Sequence, residues 1–247
     1  MAGGITGRSE WTCPKCDGDG FVLNDDGEAV ACECRTARIR KARSRGVSSV
    51  IPRKYRGVSF DRAPVSELNP IVVREVRRFV STIDRRLDEG KGLWFIGDVG
   101  TGKTTLAMLV SKAALDSGRS VAIYSVPKLL AAIRATYESS AGERSYLDFF
   151  GDLVNVDLLH LDDLGAEKQT EWVLEQLYSL VNERYIEEKS ILVTSNIDAP
   201  TQEAGMTELE LQLGKRTVSR LLEMTDQLPL FGADLRERYD PARSALG

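Results

Sequence analysis

The 247-residue sequence predicts a three-layer α/β/α domain around a five-stranded parallel sheet, with a small cysteine-bearing module before it. Three observations carry this. Short apolar runs alternate with stretches of helical spacing, as βαβ units require. One of those runs ends in "GDVGTGKT" and leads straight into a helical pattern. All four cysteines fall between residues 13 and 34, and none lies in the rest of the chain.

The elements follow in order. Cys13 and Cys16 form a C-x₂-C pair, and Cys32 and Cys34 a C-x-C pair. Four thiolates suit tetrahedral zinc, and a tight cluster in an otherwise cysteine-free chain argues against a secreted disulfide scaffold. The turn signals "DGDG" and "NDDG" around "FVL" predict a β-hairpin between the pairs. So small a unit would draw its folding energy from Zn²⁺, the alternative being free or redox-active thiols. We assign residues 1–40 to this module. Residues 41–57 are read as a basic linker and 58–247 as the core. Residues 35–56 hold nine Arg or Lys and no acid, whereas the whole chain has a net charge of −4. This segregation suits either an anionic partner or a solvated basic stretch. No signal-peptide core opens the sequence and no apolar run is long enough to span a bilayer, so the reading is a soluble cytoplasmic protein without a membrane partner.

Within the core, Val72, Val76, Phe79, Val80 and Ile83 predict a helix over 69–87. Residues 92–97, "GLWFIG", read as a buried parallel strand. "GDVGTGKT" then matches G-x-x-x-x-G-K-[ST]. The candidate triphosphate-binding residues are Gly97, Asp98, Val99, Gly100, Thr101, Gly102, Lys103, Thr104 and Thr105. Glycines let backbone amides converge on phosphate oxygens, and the following helix (103–115) offers its positive end. Lys103 adds a full charge, and the Thr104 hydroxyl suits Mg²⁺. A strand in 154–167 ends in Asp162 and Asp163. The first is a candidate Mg²⁺ ligand and the second a candidate base for an attacking water, although an Asp pair can also cap the next helix. Strands at 120–126, 190–196 and 227–231 complete the sheet. Asn196, at one strand end, could reach a γ-phosphate. The helix predicted over 213–225 turns Val218, Leu221 and Leu222 inward and carries Arg216 and Arg220 on one face. His160 and Trp11, Trp94 and Trp172 read as packing residues.

These motifs resemble the helicase loaders of the DnaC/DnaI type, a clade of AAA+ ATPases that also includes the IstB transposition ATPases. The resemblance runs over residues 11–240. It is carried by "GDVGTGKT", "LDDLGAEKQTEWVLEQLYSLVNERY", "TSN", "KRTVSRLLEM" and "GADLR", with "IPRKYRGVSF" and the cysteine cluster before them. It implies ATP as substrate and an AAA+ core without a full helical lid. Asp162 and Asp163 take the Walker B positions, with Asp in the second place where most AAA+ proteins have Glu. Asn196 matches sensor 1 and Arg236 sensor 2. Arg220, with Arg216 as rival, matches a finger reaching a neighbour's γ-phosphate, which implies a ring or spiral of subunits. In related initiators an insertion like residues 127–150 faces single-stranded DNA, so Lys128, Arg134 and Tyr137 are candidate DNA contacts, with Arg144 and Tyr146 nearby.

The implied function is ATP-dependent loading of a hexameric replicative helicase of the DnaB type onto single-stranded DNA in a bacterial cell, from a chromosomal or phage gene. The alternative is an IstB-like ATPase that regulates a transposase. A metabolic P-loop kinase would need an arginine-rich acceptor lid, and the sequence offers none.

Overall fold

The computed structural model describes residues 13–16, 21–24, 27–32 and 34, then 51–137, 145–196 and 208–235. They fall in two units divided between positions 42 and 43. In the first, β1 (Phe21–Leu23) pairs antiparallel with β2 (Ala29–Ala31), Val22 opposite Val30. Val22 packs against the four cysteines, so the hairpin forms one wall of the cluster.

The larger unit is the expected three-layer sandwich. Its strands are β3 (Gly92–Ile96), β4 (Val121–Ser125), β5 (Leu158–Leu164), β6 (Ser190–Ser195) and β7 (Thr225–Pro229). They pair in parallel in the order β4-β5-β6-β3-β7. On one face lie α1 (Pro70–Ser81), α2 (Ile83–Asp88) and α3 (Lys103–Asp116); on the other, α4 (Val126–Tyr137), α5 (Tyr146–Asn155), α6 (Glu171–Ile186), α7 (Glu208–Leu213) and α8 (Lys215–Met224). Because strand side chains alternate, β3, β4, β5 and β6 each feed both cores, whereas the edge strand β7 gives Leu228 to one. Leu93, Phe95, Leu158 and Leu192 pack towards α1–α3, while Trp94, Ile96, Leu159, Leu161 and Val193 pack towards α4–α8.

Local chemistry sets the boundaries. Asn69 caps α1 by accepting from the Ile71 N–H at 2.9 Å, with Pro70 in the first helical position, where its missing N–H costs nothing. The single helix expected over 69–87 is two. At Thr82 the hydroxyl donates to the Arg78 carbonyl, the kind of local bond with which Thr interrupts a helix. The last strand begins two residues earlier than expected, because α8 runs directly into it and the Thr225 hydroxyl donates to the Leu221 carbonyl. Residues 51–57, read as linker, instead belong to the larger unit. Ile51 and Tyr55 pack against the α1–α3 core.

Arg184, fully buried on α6, shows how tightly this unit is tied. Its guanidinium donates to the carbonyls of Leu153, Val154 and Val156 and to that of Ser190. One side chain thereby joins the end of α5 to the start of β6. Among the described residues no helix is long and apolar enough to cross a membrane.

Candidate functional site

The carboxyl ends of β3, β5 and β6 open onto a cavity of about 510 Å³, where a parallel α/β sheet holds ligands. Gly100, Gly102, Lys103, Thr104 and Thr105 line it from the phosphate loop. Asp163 lines it from β5 and Asn196 from the end of β6. Lys54 and Tyr55 close a further side, a contribution the sequence reading missed by placing them in a linker.

The loop is shaped by its backbone. Gly97, Gly100 and Gly102 all have positive φ, at 137°, 80° and 95°. A methyl group at Gly97 would lie 2.1 Å from the Leu230 carbonyl oxygen, and one at Gly100 would meet the Asp234 carboxylate. Both glycines thus make room for the segment after β7, which straps the loop. The Leu230 N–H donates to the Ile96 carbonyl, Gly232 N–H to the Asp98 carboxylate and Leu235 N–H to the Gly100 carbonyl. Thr101 is buried, its hydroxyl on the Asp98 carbonyl, and Val99 is exposed. Lys103 is buried, and its ammonium donates to the Gly97 carbonyl at 2.8 Å and to that of Asp98.

At the end of β5, burial works against a charge on Asp162, but contacts with His160, Thr194 and Thr104 outweigh it and hold the carboxyl below its ordinary value. Thr104, the other residue expected to hold Mg²⁺, is thus among the groups that favour the charge on Asp162. His160 Nε2 is 3.8 Å from Asp162, and its Nδ1 is 2.9 Å from the Ser111 hydroxyl of α3; His160 and Ser111 are fully buried. Thr194 was not singled out from the sequence. Its hydroxyl donates to Asp162 Oδ1 at 2.8 Å and accepts the Asp163 N–H at 2.8 Å. Only the cross-strand pairing of β5 with β6 reveals it.

The other expected residues lie apart from this cavity. Arg220 sits on α8 with its guanidinium 5.0 Å from the Tyr178 ring centre and 5.6 Å from that of Tyr185. Its Nε is buried without a hydrogen-bond partner. Arg216, one turn earlier, is exposed on the same groove of about 610 Å³. Lys128 is exposed on α4. Arg134 lies over the Trp172 ring at 4.5 Å, and Tyr137 stacks on Tyr146 at 5.3 Å while remaining half exposed. Arg236, Arg144 and Trp11 lie outside the described residues.

In the N-terminal unit the sulfurs of Cys13, Cys16, Cys32 and Cys34 all lie within 4.8 Å of one another and are buried. The Cys13–Cys32 pair is 3.8 Å apart and the Cys16–Cys34 pair 3.2 Å. Zinc with sulfur ligands at about 2.3 Å places tetrahedral neighbours about 3.8 Å apart, so the donor set fits such an ion. Thiol crowding, from Cys16 foremost, pushes the Cys34 thiol well above its ordinary value, and a cation would relieve that.

Comparison with known proteins gives the family. Escherichia coli (strain K12) replicative helicase loader DnaC is 26% identical over 147 residues, 60% of this chain and 55% of DnaC. The insertion-sequence ATP-binding protein Rv3427c of Mycobacterium tuberculosis (strain ATCC 25618 / H37Rv) is 25% identical over 206 residues, 81% of this chain and 79% of that protein. A crystal structure of the DnaC helicase loader superimposes with a TM-score of 0.61 at 26% identity, covering 72% of this chain and 99% of that one. The chain spans about half the length of the first curated relatives it matches. The profile of IstB-like ATP binding proteins matches residues 40–240, and with the P-loop AAA+ sandwich described above this makes the chain a member of the IstB-like ATP binding protein family.

Proposed function

We propose that the chain is an ATP-hydrolysing switch that helps load a replicative helicase onto single-stranded DNA. The observation that carries the chemistry is the shared cavity, where the phosphate loop, Asp163 and Asn196 converge. The triphosphate would lie along residues 97–105, with Lys103 leaving its loop carbonyls to meet phosphate oxygens. Thr104 and Asp162 would hold Mg²⁺, which when bound neutralises charge on the β- and γ-phosphates. Asp163 would take the proton of a water as its oxygen bonds to the γ-phosphorus and the bond to the ADP oxygen breaks. Asn196 would orient that water.

Arg220 and Arg216 are not among the residues lining the chain's own cavity, which supports a role towards a neighbouring subunit. Between two tyrosine rings Arg220 is held in place before any partner arrives, so it is the better candidate for the finger. We expect Arg220→Ala to keep ATP affinity but lose assembly and at least about 100-fold in hydrolysis. Normal hydrolysis by isolated Arg220→Ala subunits would end the trans assignment. The cysteine unit would bind zinc as a structural ion, and Lys128, Arg134 and Tyr137 would contact single-stranded DNA through charge and ring stacking.

The similarity to a DnaC crystal structure supports the loader. A second reading, a transposition ATPase, is favoured by the longer alignment with the insertion-sequence protein. Capture experiments with the cognate helicase and transposase separate them. Retention of the helicase is expected, and retention of the transposase alone would overturn the loader.

A further inference from the structure

We infer that Thr194 is the positioning residue of the hydrolytic pair, one hydroxyl that sets both Asp162 and Asp163. This rests on the ATP-hydrolysis reading above. In a regular strand successive side chains point to opposite faces of the sheet, so adjacent Asp162 and Asp163 could not both serve one cavity. The structure resolves this with an irregularity. Leu161 lies opposite Val193 on β6, but Leu164 lies opposite Ser195, so three steps along β5 match two along β6. Such a bulge re-aims a side chain, and bulges gather beside active sites.

The extra residue is accommodated at Asp163, whose φ is +58°. Few non-glycine residues tolerate that region, and Asp is one of them because its short polar side chain can hydrogen-bond locally and offset the strain at Cβ. This accounts for the unusual Asp in the second Walker B place. The bulge delivers the carboxylate by bending the backbone, where a straight strand would need a longer side chain. Glu at 163 would be strained as well as overlong.

Thr194 stands at the break. It is fully buried, accepts the Asp163 N–H at 2.8 Å and donates its single proton to Asp162 Oδ1 at 2.8 Å. Its bonding capacity is thus directed to these two residues at once. Beyond the break, the turn is closed by the Ala166 N–H on the Asp163 carbonyl and the Gly165 N–H on the Glu167 carboxylate. The turn is therefore fixed on its far side by its own groups, and on its near side by Thr194.

The test uses the full-length protein and the pair Thr194→Val and Thr194→Ser. Valine keeps the shape and strand preference but removes the hydroxyl; serine restores it. A fluorescent ATP analogue reads affinity with and without Mg²⁺, and phosphate release reads turnover. In Thr194→Val, Mg²⁺-free affinity should stay within about threefold, the Mg²⁺ needed for half-saturation should rise about fivefold or more, and turnover should fall about tenfold or more, the range of a lost hydrogen bond to a charge. Thr194→Ser should stay within about threefold of the parent in all three. Equal losses in both variants, or none in Thr194→Val, would overturn the inference. Asp163→Asn separates the two aspartates, because it should lose turnover without shifting the Mg²⁺ requirement. If the parent binds Mg²⁺-ATP but never hydrolyses it, the hydrolysis reading fails, while the Mg²⁺ shift in Thr194→Val still decides the positioning role.

Discussion

The two strand ends that meet at the cavity are built by opposite means. At the end of β3 the phosphate loop is a backbone structure. Three glycines at positive φ and a strap whose N–H groups, from residues 230–235, bond to the Ile96 and Gly100 carbonyls and the Asp98 carboxylate fix its shape. At the end of β5 the geometry depends on one hydroxyl reaching across from β6. A backbone site is specified by residues close together in sequence. A side-chain site is specified by whatever the sheet brings alongside. The first is intolerant of added atoms and the second of lost ones, and substitutions can test that difference directly.

The largest expected effect lies at Lys103. It is the buried cation of the loop, and its present partners are loop carbonyls. Lys103→Ala should lower ATP affinity about 100-fold or more, measured by titration with a fluorescent analogue, because a desolvated charge pair is lost. Thermal stability in the absence of nucleotide should change far less, since the ammonium's bonds to the Gly97 and Asp98 carbonyls stay within its own loop. A large loss of stability with intact affinity would mean that the lysine braces the loop and does not hold the ligand.

Next comes Gly97→Ala. The added methyl would stand 2.1 Å from the Leu230 carbonyl oxygen at a φ of 137°. Either the strap or the loop must move. We expect a cost of about 2–4 kcal/mol in unfolding free energy, read by denaturant titration, with weaker ATP binding beside it. Thr194→Val, which adds no atom and creates no clash, should leave stability closer to the parent while changing the Mg²⁺ requirement. If Gly97→Ala proved neutral, the strap would not constrain the loop as its hydrogen bonds indicate.

This contrast also explains what could be read from the sequence. The sandwich, the five parallel strands and the loop were legible because each is written locally, in apolar runs, helical spacing and a glycine motif. The hairpin between the cysteine pairs was legible for the same reason, from its turn residues. The role of Thr194 was not, because "TSN" carries no local sign that its first residue faces Asp162 and Asp163 from the next strand. The bulge at Asp163 was hidden too, since register is a property of two strands. Tyr55 was missed differently. It lies in a basic stretch whose charge suggested a linker, whereas it packs on the core and lines the cavity. Arg184 and Arg220 sharpen the point. Both are arginines on helices, yet Arg184 is spent on main-chain carbonyls, while Arg220 rests between two rings. Only the structure tells an arginine bound to main-chain carbonyls from one set between two rings.

The smallest effect concerns the charge on Asp162, in buffer free of Mg²⁺ and nucleotide. Burial opposes that charge, but His160, Thr194 and Thr104 more than offset it and hold the folded-state value below the ordinary 3.8. A depressed carboxyl stabilises the fold at pH above its unfolded value, and the contribution is lost as pH falls through the folded value. Asp162→Asn should therefore melt below the parent at neutral pH by a few degrees, about 2–4 °C for each kcal/mol in a protein of this size. The gap should close as pH falls below 3.8, where the parent's carboxyl also takes up a proton. Combined with Thr194→Val, the loss should be smaller than the sum of the two, because Asp162→Asn takes the charge from the same hydrogen bond that Thr194→Val removes. A pH-independent gap would mean that shape, not charge, is what Asp162 contributes before the metal arrives, and full additivity would separate the two residues that the end of β5 is here held to couple.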